Sequence, residues 1–167
     1  MIKILIFAVF FVMGTLAGIC VADKLRQYRD TAHEIHAMLD HISVLVRYRG
    51  LDVYEICSEL KNSDSYRHLN FIEKLPTNFV PGENFHELWR DSVTFDSGIG
   101  SEEKKCLVSF GNVLGTSDTD GQISAIETVI ESIKLIEHRR DDEFRQKNRL
   151  YRSVGMLFGT MAGIMFI

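Results

Sequence analysis

Proline and cysteine are both scarce in this chain of 167 residues. The two prolines, Pro76 and Pro81, leave most of the chain without a helix breaker. No strand-like alternation of apolar residues persists, whereas helical spacing is strong. The three cysteines, Cys20, Cys57 and Cys106, have no metal-binding or redox spacing. The sequence therefore favours an all-α protein and argues against a disulfide framework or a catalytic thiol.

Two long segments, one near each end of the chain, contain no charged side chain. Nineteen residues, Ile4 to Ala22, and the last fifteen, Ser153 to Ile167, carry none. A nineteen-residue helix is roughly 28 Å long, close to a hydrocarbon core of ~30 Å. Counted from Leu150, the last segment is roughly 27 Å long. We predict an N-terminal transmembrane helix at 1–22 and a C-terminal one at 151–167, with Arg149, Tyr151 and Arg152 at the membrane interface.

Both predicted spans have alternatives. The first segment could be a cleaved signal peptide, but only Lys3 precedes it and no clean cleavage site follows. The sequence before Cys20 does not match a lipoprotein cleavage box, because Ile19 occupies the position where a small residue is expected. The last segment could be a buried core helix of a soluble domain.

Glycines recur every fourth residue in both segments. Glycine destabilises a soluble helix by about 1 kcal/mol, whereas in lipid a small face lets helices pack closely. We predict that the two spans pack as a hairpin, or that copies of the chain form a homo-oligomer, through Gly14, Gly18, Gly155, Gly159 and Gly163.

Basic residues flank both apolar segments on the side of the chain's middle. Only Lys3 and the amino terminus lie on the other side. The positive-inside rule then places 23–150 in the cytoplasm, with its base near anionic lipid. The flanking residues are Lys24, Arg26, Arg29, Arg139, Arg140, Arg145, Lys147, Arg149 and Arg152.

Every acidic residue lies between the two apolar segments. With Lys3 set aside, 23 acidic residues stand against 18 basic ones. Because the bases cluster near the ends, the distal part is more acidic still. This argues against nucleic acid as a partner, which calls for a basic face, and suits a basic protein surface.

Residues 23–150, between the two apolar segments, are predicted to form an antiparallel bundle of about six helices. Ile35, Leu39 and other apolar residues follow a 3-4-3-4 spacing, which indicates a bundle seam or, alternatively, a dimerising coiled coil. Gly50 is predicted to end the first helix and Ser101 to cap a later one. Trp89 is the expected core anchor. The predicted helices are 23–48, 52–61, 64–74 with Tyr66, Leu69 and Ile72 inward, 85–93, 101–114 and 119–152.

Two motifs suggest chemistry only weakly. "HEIH" places His33 and His36 three residues apart, whereas a zinc-protease helix needs histidines four apart. Solvated histidines are the simpler interpretation, with weak metal binding by His33, His36 and Asp40 or a histidine-dependent hydrolase as alternatives. "GNVLGT" has neither the lysine nor the strand of a phosphate loop. We therefore predict no catalytic residues, no metal site and no cofactor.

The sharpest loop is "LGTSDTDGQ", Leu114 to Gln122. Gly115 can end one helix in the left-handed conformation, and Ser117 or Asp118 can cap the next. We predict that Gly115, Ser117, Asp118 and Gln122 form a partner contact or, equally, shape an ordinary helix corner.

These motifs resemble those of the stage III sporulation protein AB family of endospore-forming Firmicutes. Leu114 to Gln122 follow its Leu-Gly-x-Ser-Asp-x-x-x-Gln pattern, and Tyr151, Arg152, Ser153 and Gly155 follow its Tyr-Arg-Ser-Leu-Gly, with Val154 in place of leucine. The resemblance covers the whole chain. It implies a soluble domain similar to the helical cytoplasmic domain of F-type platform proteins in type II secretion and type IV pilus machines.

The resemblance also implies a function. It predicts a non-enzymatic platform subunit in the mother-cell membrane around the forespore, part of the channel complex between the two cells. Its partners would be the secretion-type ATPase of that complex and other membrane subunits. A membrane-tethered coiled-coil adaptor and the hydrolase using His33 and His36 are the alternatives.

Overall fold

The computed structural model describes residues 2–115 and 119–165, and their regular structure is helical throughout. Five α-helices lie in these ranges: α1 Ile2–Val44, α2 Val53–Lys61, α3 Phe85–Thr94, α4 Ser101–Gly111 and α5 Thr119–Met165. A π-helical turn, Leu45–Arg49, follows α1, and a 3-10 helix spans Asn70–Lys74. The predicted all-α class is confirmed, and the architecture is consistent with a helical bundle.

The chain divides into two compact units. Unit 1 comprises residues 1–29 and 139–167, and unit 2 comprises residues 30–138. Within the described part of the chain, no helix offers a stretch both long and apolar enough to cross a membrane. The transmembrane helices at 1–22 and 151–167, and the domain limits drawn from them, remain predictions.

The core of unit 2 contains the apolar seam of α1. Ile35, Leu39 and Ile42 are fully buried in a cluster that also holds Ile126 and Ile133 of α5. The seam is thus covered within one chain and is not open to a second copy. The dimerising coiled coil is therefore wrong for this segment, because the other helices of the same chain supply its partners.

Trp89 is the centre of an aromatic cluster. Its ring is fully buried, and the ring centroids of Phe71 and Phe110 both lie 5.6 Å away. The indole Nε1–H donates to the Leu107 carbonyl at 2.8 Å, so the polar edge of the ring is satisfied in the core. The prediction that Trp89 anchors the core is confirmed.

Local capping explains where α2 begins. Asp52 Oδ1 accepts hydrogen bonds from the backbone N–H groups of Tyr54 and Glu55 at 2.9 and 2.8 Å. Glu55 Oε2 accepts from the Asp52 N–H at 3.0 Å, which completes a capping box. The helix predicted at 52–61 is confirmed.

The helix predicted at 64–74 is wrong. Residues 62–69 form turns, and only Asn70–Lys74 is helical, with 3-10 geometry. Polar side chains here compete for backbone groups: Ser63 Oγ accepts from the Ser65 N–H at 3.4 Å. Leu69 and Ile72 are nevertheless buried, as the spacing indicated, whereas Tyr66 is only partly so.

Both ends of the helix predicted at 101–114 also differ. Gly100, not Ser101, is the N-cap residue, and no side chain caps this end. Helix α4 stops at Gly111, and a turn follows in which Phe110 O accepts from the N–H groups of Val113 and Leu114 at 3.0 and 3.1 Å. Leu114 is buried by this turn rather than by a helix.

The end of α1 combines an expected and an unexpected feature. Gly50 has φ +59° and ends the segment in the left-handed conformation, as predicted. The π turn before it was not predicted. It carries two ion pairs at unit 2's surface, from Arg47 to Glu127 at 2.8 Å and from Arg49 to Glu59 at 2.7 Å.

Candidate functional site

The turn between α4 and α5 is the first candidate site. Gly115 has the predicted left-handed conformation, with φ +80°, but it does not end α4, because that helix stops at Gly111 with Asn112 as its C-cap. Its N–H donates to Gln122 Oε1 at 3.2 Å, so the first helical turns of α5 hold the backbone that leads into them. Ser117 and Asp118 lie outside the described residues. Gly115 and Gln122 thus meet in this corner, and both the turn-shaping role and the partner contact remain predictions.

A close neighbour makes glycine doubly necessary at position 115. A Cβ added there would lie 2.7 Å from Cγ1 of Val53, well inside van der Waals contact. Any other residue would therefore meet both backbone strain and a clash with α2. Sequence reasoning found the glycine but not Val53, because nothing local couples residues 53 and 115.

The second candidate is a group we call the Glu137 clamp: His33, His36 and Glu137. The Nδ1 atoms of His33 and His36 lie 2.5 and 2.6 Å from the two oxygens of the Glu137 carboxylate. The clamp joins α1 to α5 within unit 2. The predicted solvation holds for His33, which is 48 % exposed, but not for His36, which is 22 % exposed; Glu137 is 17 % exposed.

The tautomer of the two clamp histidines follows from the carboxylate that their Nδ1 atoms contact. A carboxylate only accepts, so both histidines must carry a proton on Nδ1. His36 Nε2 is buried without a hydrogen-bond partner, and Asp40 Oδ2, 3.5 Å away, provides an electrostatic contact only. Both Nδ1 atoms thus take part in a link between α1 and α5, which gives the clamp a structural role and leaves the hydrolase alternative a prediction.

A similar link ties the irregular segment after α2 to α1. Glu34 accepts from the His68 backbone N–H at 2.7 Å, and its other oxygen lies 2.5 Å from His68 Nδ1. His41, also on α1, has its Nδ1 atom 2.9 Å from the hydroxyl of Tyr66 in this segment. Within the residues that the structure describes, no three or more His, Cys, Asp or Glu side chains are arranged to hold a metal ion.

Two of the three cysteines, Cys57 and Cys106, have thiols with a raised pKa. Burial raises the pKa of the Cys57 thiol to about 12, because the charged thiolate would be desolvated. Burial also raises the pKa of Cys106, with the charges of Glu103 and Glu102 adding to the effect. A thiol with a raised pKa is a poor nucleophile near neutral pH.

The predicted interface and packing residues of unit 1 are only partly described. Gly18 is buried, and Tyr151 is 36 % exposed. The surroundings of the other predicted packing and interface residues lie outside the described side chains: Gly14, Arg149, Arg152, Gly155, Gly159 and Gly163. Their roles remain predictions.

Comparison with known proteins decides the family. The model of the stage III sporulation protein AB family matches residues 3–167, nearly the whole chain. The chain belongs to this family. No curated protein and no solved structure matches it. Family membership gives a sporulation-related role, and the resemblance drawn from Gly115, Gln122 and the C-terminal motif is confirmed.

Proposed function

We propose that this stage III sporulation protein AB family member is a non-enzymatic platform subunit of the channel complex between mother cell and forespore. Its two ends anchor it in the mother-cell membrane around the forespore, and unit 2 lies in the cytoplasm. Unit 2 takes up conformational change from the complex's secretion-type ATPase and passes it to the membrane subunits.

One contrast along α1 carries the membrane part of this proposal. Met13 and Leu16 are 62 % and 59 % exposed, whereas Met38 and Leu39 of the same helix are fully buried. Exposed apolar side chains in such number mark a surface that another apolar phase covers. Leu150, Leu157 and Met161 are likewise exposed near the end of α5. Lipid suits both segments, because each runs for at least fifteen residues without a charge.

The turn between α4 and α5 supports the coupling part. Gly115 is exposed, and its backbone is held by Gln122 and crowded by Val53. An exposed backbone held in place, as at Gly115, is suited to docking, since little order must be gained there on binding. The resemblance to F-type platform proteins supports an ATPase as the docking partner.

Charge reversal in this turn tests the ATPase contact. Full-length tagged protein is recovered from sporulating cells, and the co-purified ATPase is quantified for the wild type and Asp118→Arg. We expect capture to fall at least about tenfold, because a reversed charge opposes a complementary surface. Asp64→Arg, in an exposed turn of unit 2, is the matched control. Unchanged capture with Asp118→Arg, or equal loss with both variants, would refute a contact at this turn.

Alkaline extraction of membranes tests the anchorage separately. A chain held by two apolar segments stays in the membrane pellet after carbonate treatment. Recovery of the full-length protein in the supernatant would refute membrane anchorage, whatever the ATPase result.

A further inference from the structure

A groove lies along α1 in unit 1, next to Tyr28. It has a volume of 230 Å³ and is lined by Cys20, Val21, Lys24, Leu25 and Tyr28. Cys20 and Val21 are exposed and Leu25 is half-buried, so the groove is open and mostly apolar along its length. Among the described residues that line it, Lys24 is the charged one, and it lies one helical turn before Tyr28.

Two cations share the Tyr28 ring. Lys24 Nζ lies 5.9 Å from the ring centroid, and Arg140 Cζ of α5 lies 5.3 Å from it. Attraction to the ring face offsets part of the repulsion between the two cations. The ring therefore holds a second positive charge beside the groove, near the one that Lys24 supplies.

The surrounding charge is positive overall. Residues 20–29 and 139–152 contain nine Lys and Arg side chains against four Asp and Glu. Glu143 lies 3.5 Å from both Arg140 and Lys147, so it balances part of this charge. The remaining excess favours an anionic ligand at the end of the groove marked by Tyr28.

We infer that this groove binds an anionic phospholipid. The phosphate lies beside Lys24 and Arg140, and an acyl chain lies along Cys20, Val21 and Leu25. A soluble anion would leave the apolar wall uncovered, and a zwitterionic lipid would bring no net charge. The inference rests on the proposed membrane anchorage and goes beyond it by naming a binding groove and the residues that hold the lipid.

Lipid retention by the full-length chain tests the site. The protein is purified in a mild detergent, mixed with phosphatidylglycerol or phosphatidylcholine, and bound lipids are counted by native mass spectrometry. We expect the wild type to retain phosphatidylglycerol in clear preference. Lys24→Gln should weaken this retention about fivefold, the effect of one basic side chain near an anionic surface. Tyr28→Leu should weaken it about twofold, because both cations lose their ring without a change in net charge.

Lys105→Gln is the matched control, because Lys105 is an exposed lysine of α4 in unit 2. It makes the same charge change away from the groove and should leave retention unchanged. Equal retention of the two lipids by the wild type, or a Lys24→Gln result equal to the control, would overturn the site. A chain that stays in carbonate-washed membranes but shows no lipid preference refutes this inference alone. A chain released by carbonate refutes the anchorage, and the lipid site with it.

Discussion

Replacing Gly111 with alanine is the sharpest test of the packing in unit 2. A Cβ at this position would lie 2.1 Å from Cδ1 and 2.5 Å from Nε1 of Trp89, where ordinary contact begins at 3.4 Å. Relief requires a shift of about 1 Å or more in a ring that is fully buried and bonded to Leu107. Such overpacking costs about 3 kcal/mol, and alanine's better helix propensity returns about 1 kcal/mol. We therefore expect Gly111→Ala to lower the free energy of unfolding by about 2 kcal/mol.

Urea denaturation of the full-length chain in mild detergent measures this change, followed by circular dichroism. Gly50→Ala is the control, because its Cβ meets nothing within 4 Å and only the φ of +59° is strained. Its expected cost is about 1 kcal/mol. In a Trp89→Phe background, Gly111→Ala should cost less, since the smaller ring lacks Nε1 and leaves room for the required shift. Equal or greater stability of Gly111→Ala in the wild-type background would refute the reasoning.

Three further outcomes are expected. At pH 8 a maleimide should label Cys57 in urea but not in the folded chain, since burial raises the pKa of this thiol to about 12. Mass spectrometry identifies the labelled residue. Equal labelling rates in the folded and the urea-unfolded chain would contradict the burial of Cys57. Gly115→Ala should lower the free energy of unfolding by about 2 kcal/mol in urea denaturation. Adding Val53→Ala should restore part of that free energy, because the new Cβ clashes with the Val53 side chain. If Val53→Ala restores none of it, backbone strain is the sole cause. Glu137→Gln should lower the free energy of unfolding by about 2 kcal/mol, because both clamp histidines lose a charged acceptor. The control Glu127→Gln, at an exposed ion pair, should lower it by under about 0.5 kcal/mol. Equal decreases would show that the clamp is no stronger than a surface ion pair.

Helix periodicity was a reliable guide where a helix is long and packed on one side. The seam through Ile35 and Leu39 is buried as the spacing indicated. It failed between residues 62 and 69, where apolar spacing persists but the chain turns. Periodicity records which side chains face the core, and a turn can bury Leu69 as well as a helix can.

The candidate sites divide in the same way. The positive φ of Gly115 could be predicted because a turn needs glycine there and the motif is local. Glu137 could not be assigned to His33 and His36, because the three meet only when α1 and α5 pack across a separation of about a hundred residues. Val53 was missed beside Gly115 for the same reason. Contacts distant in sequence depend on packing that a single sequence does not encode locally.

The π turn at Leu45–Arg49 has a consequence for relatives of this chain. A π turn accommodates one residue more than an α-helical turn. Loss of a residue there can be absorbed by conversion to α-helical geometry, whereas the same loss between Ile35 and Ile42 would rotate every later side chain by about 100°. One-residue length differences among homologues should therefore gather just before Gly50, and an alignment that places them earlier in α1 is out of register.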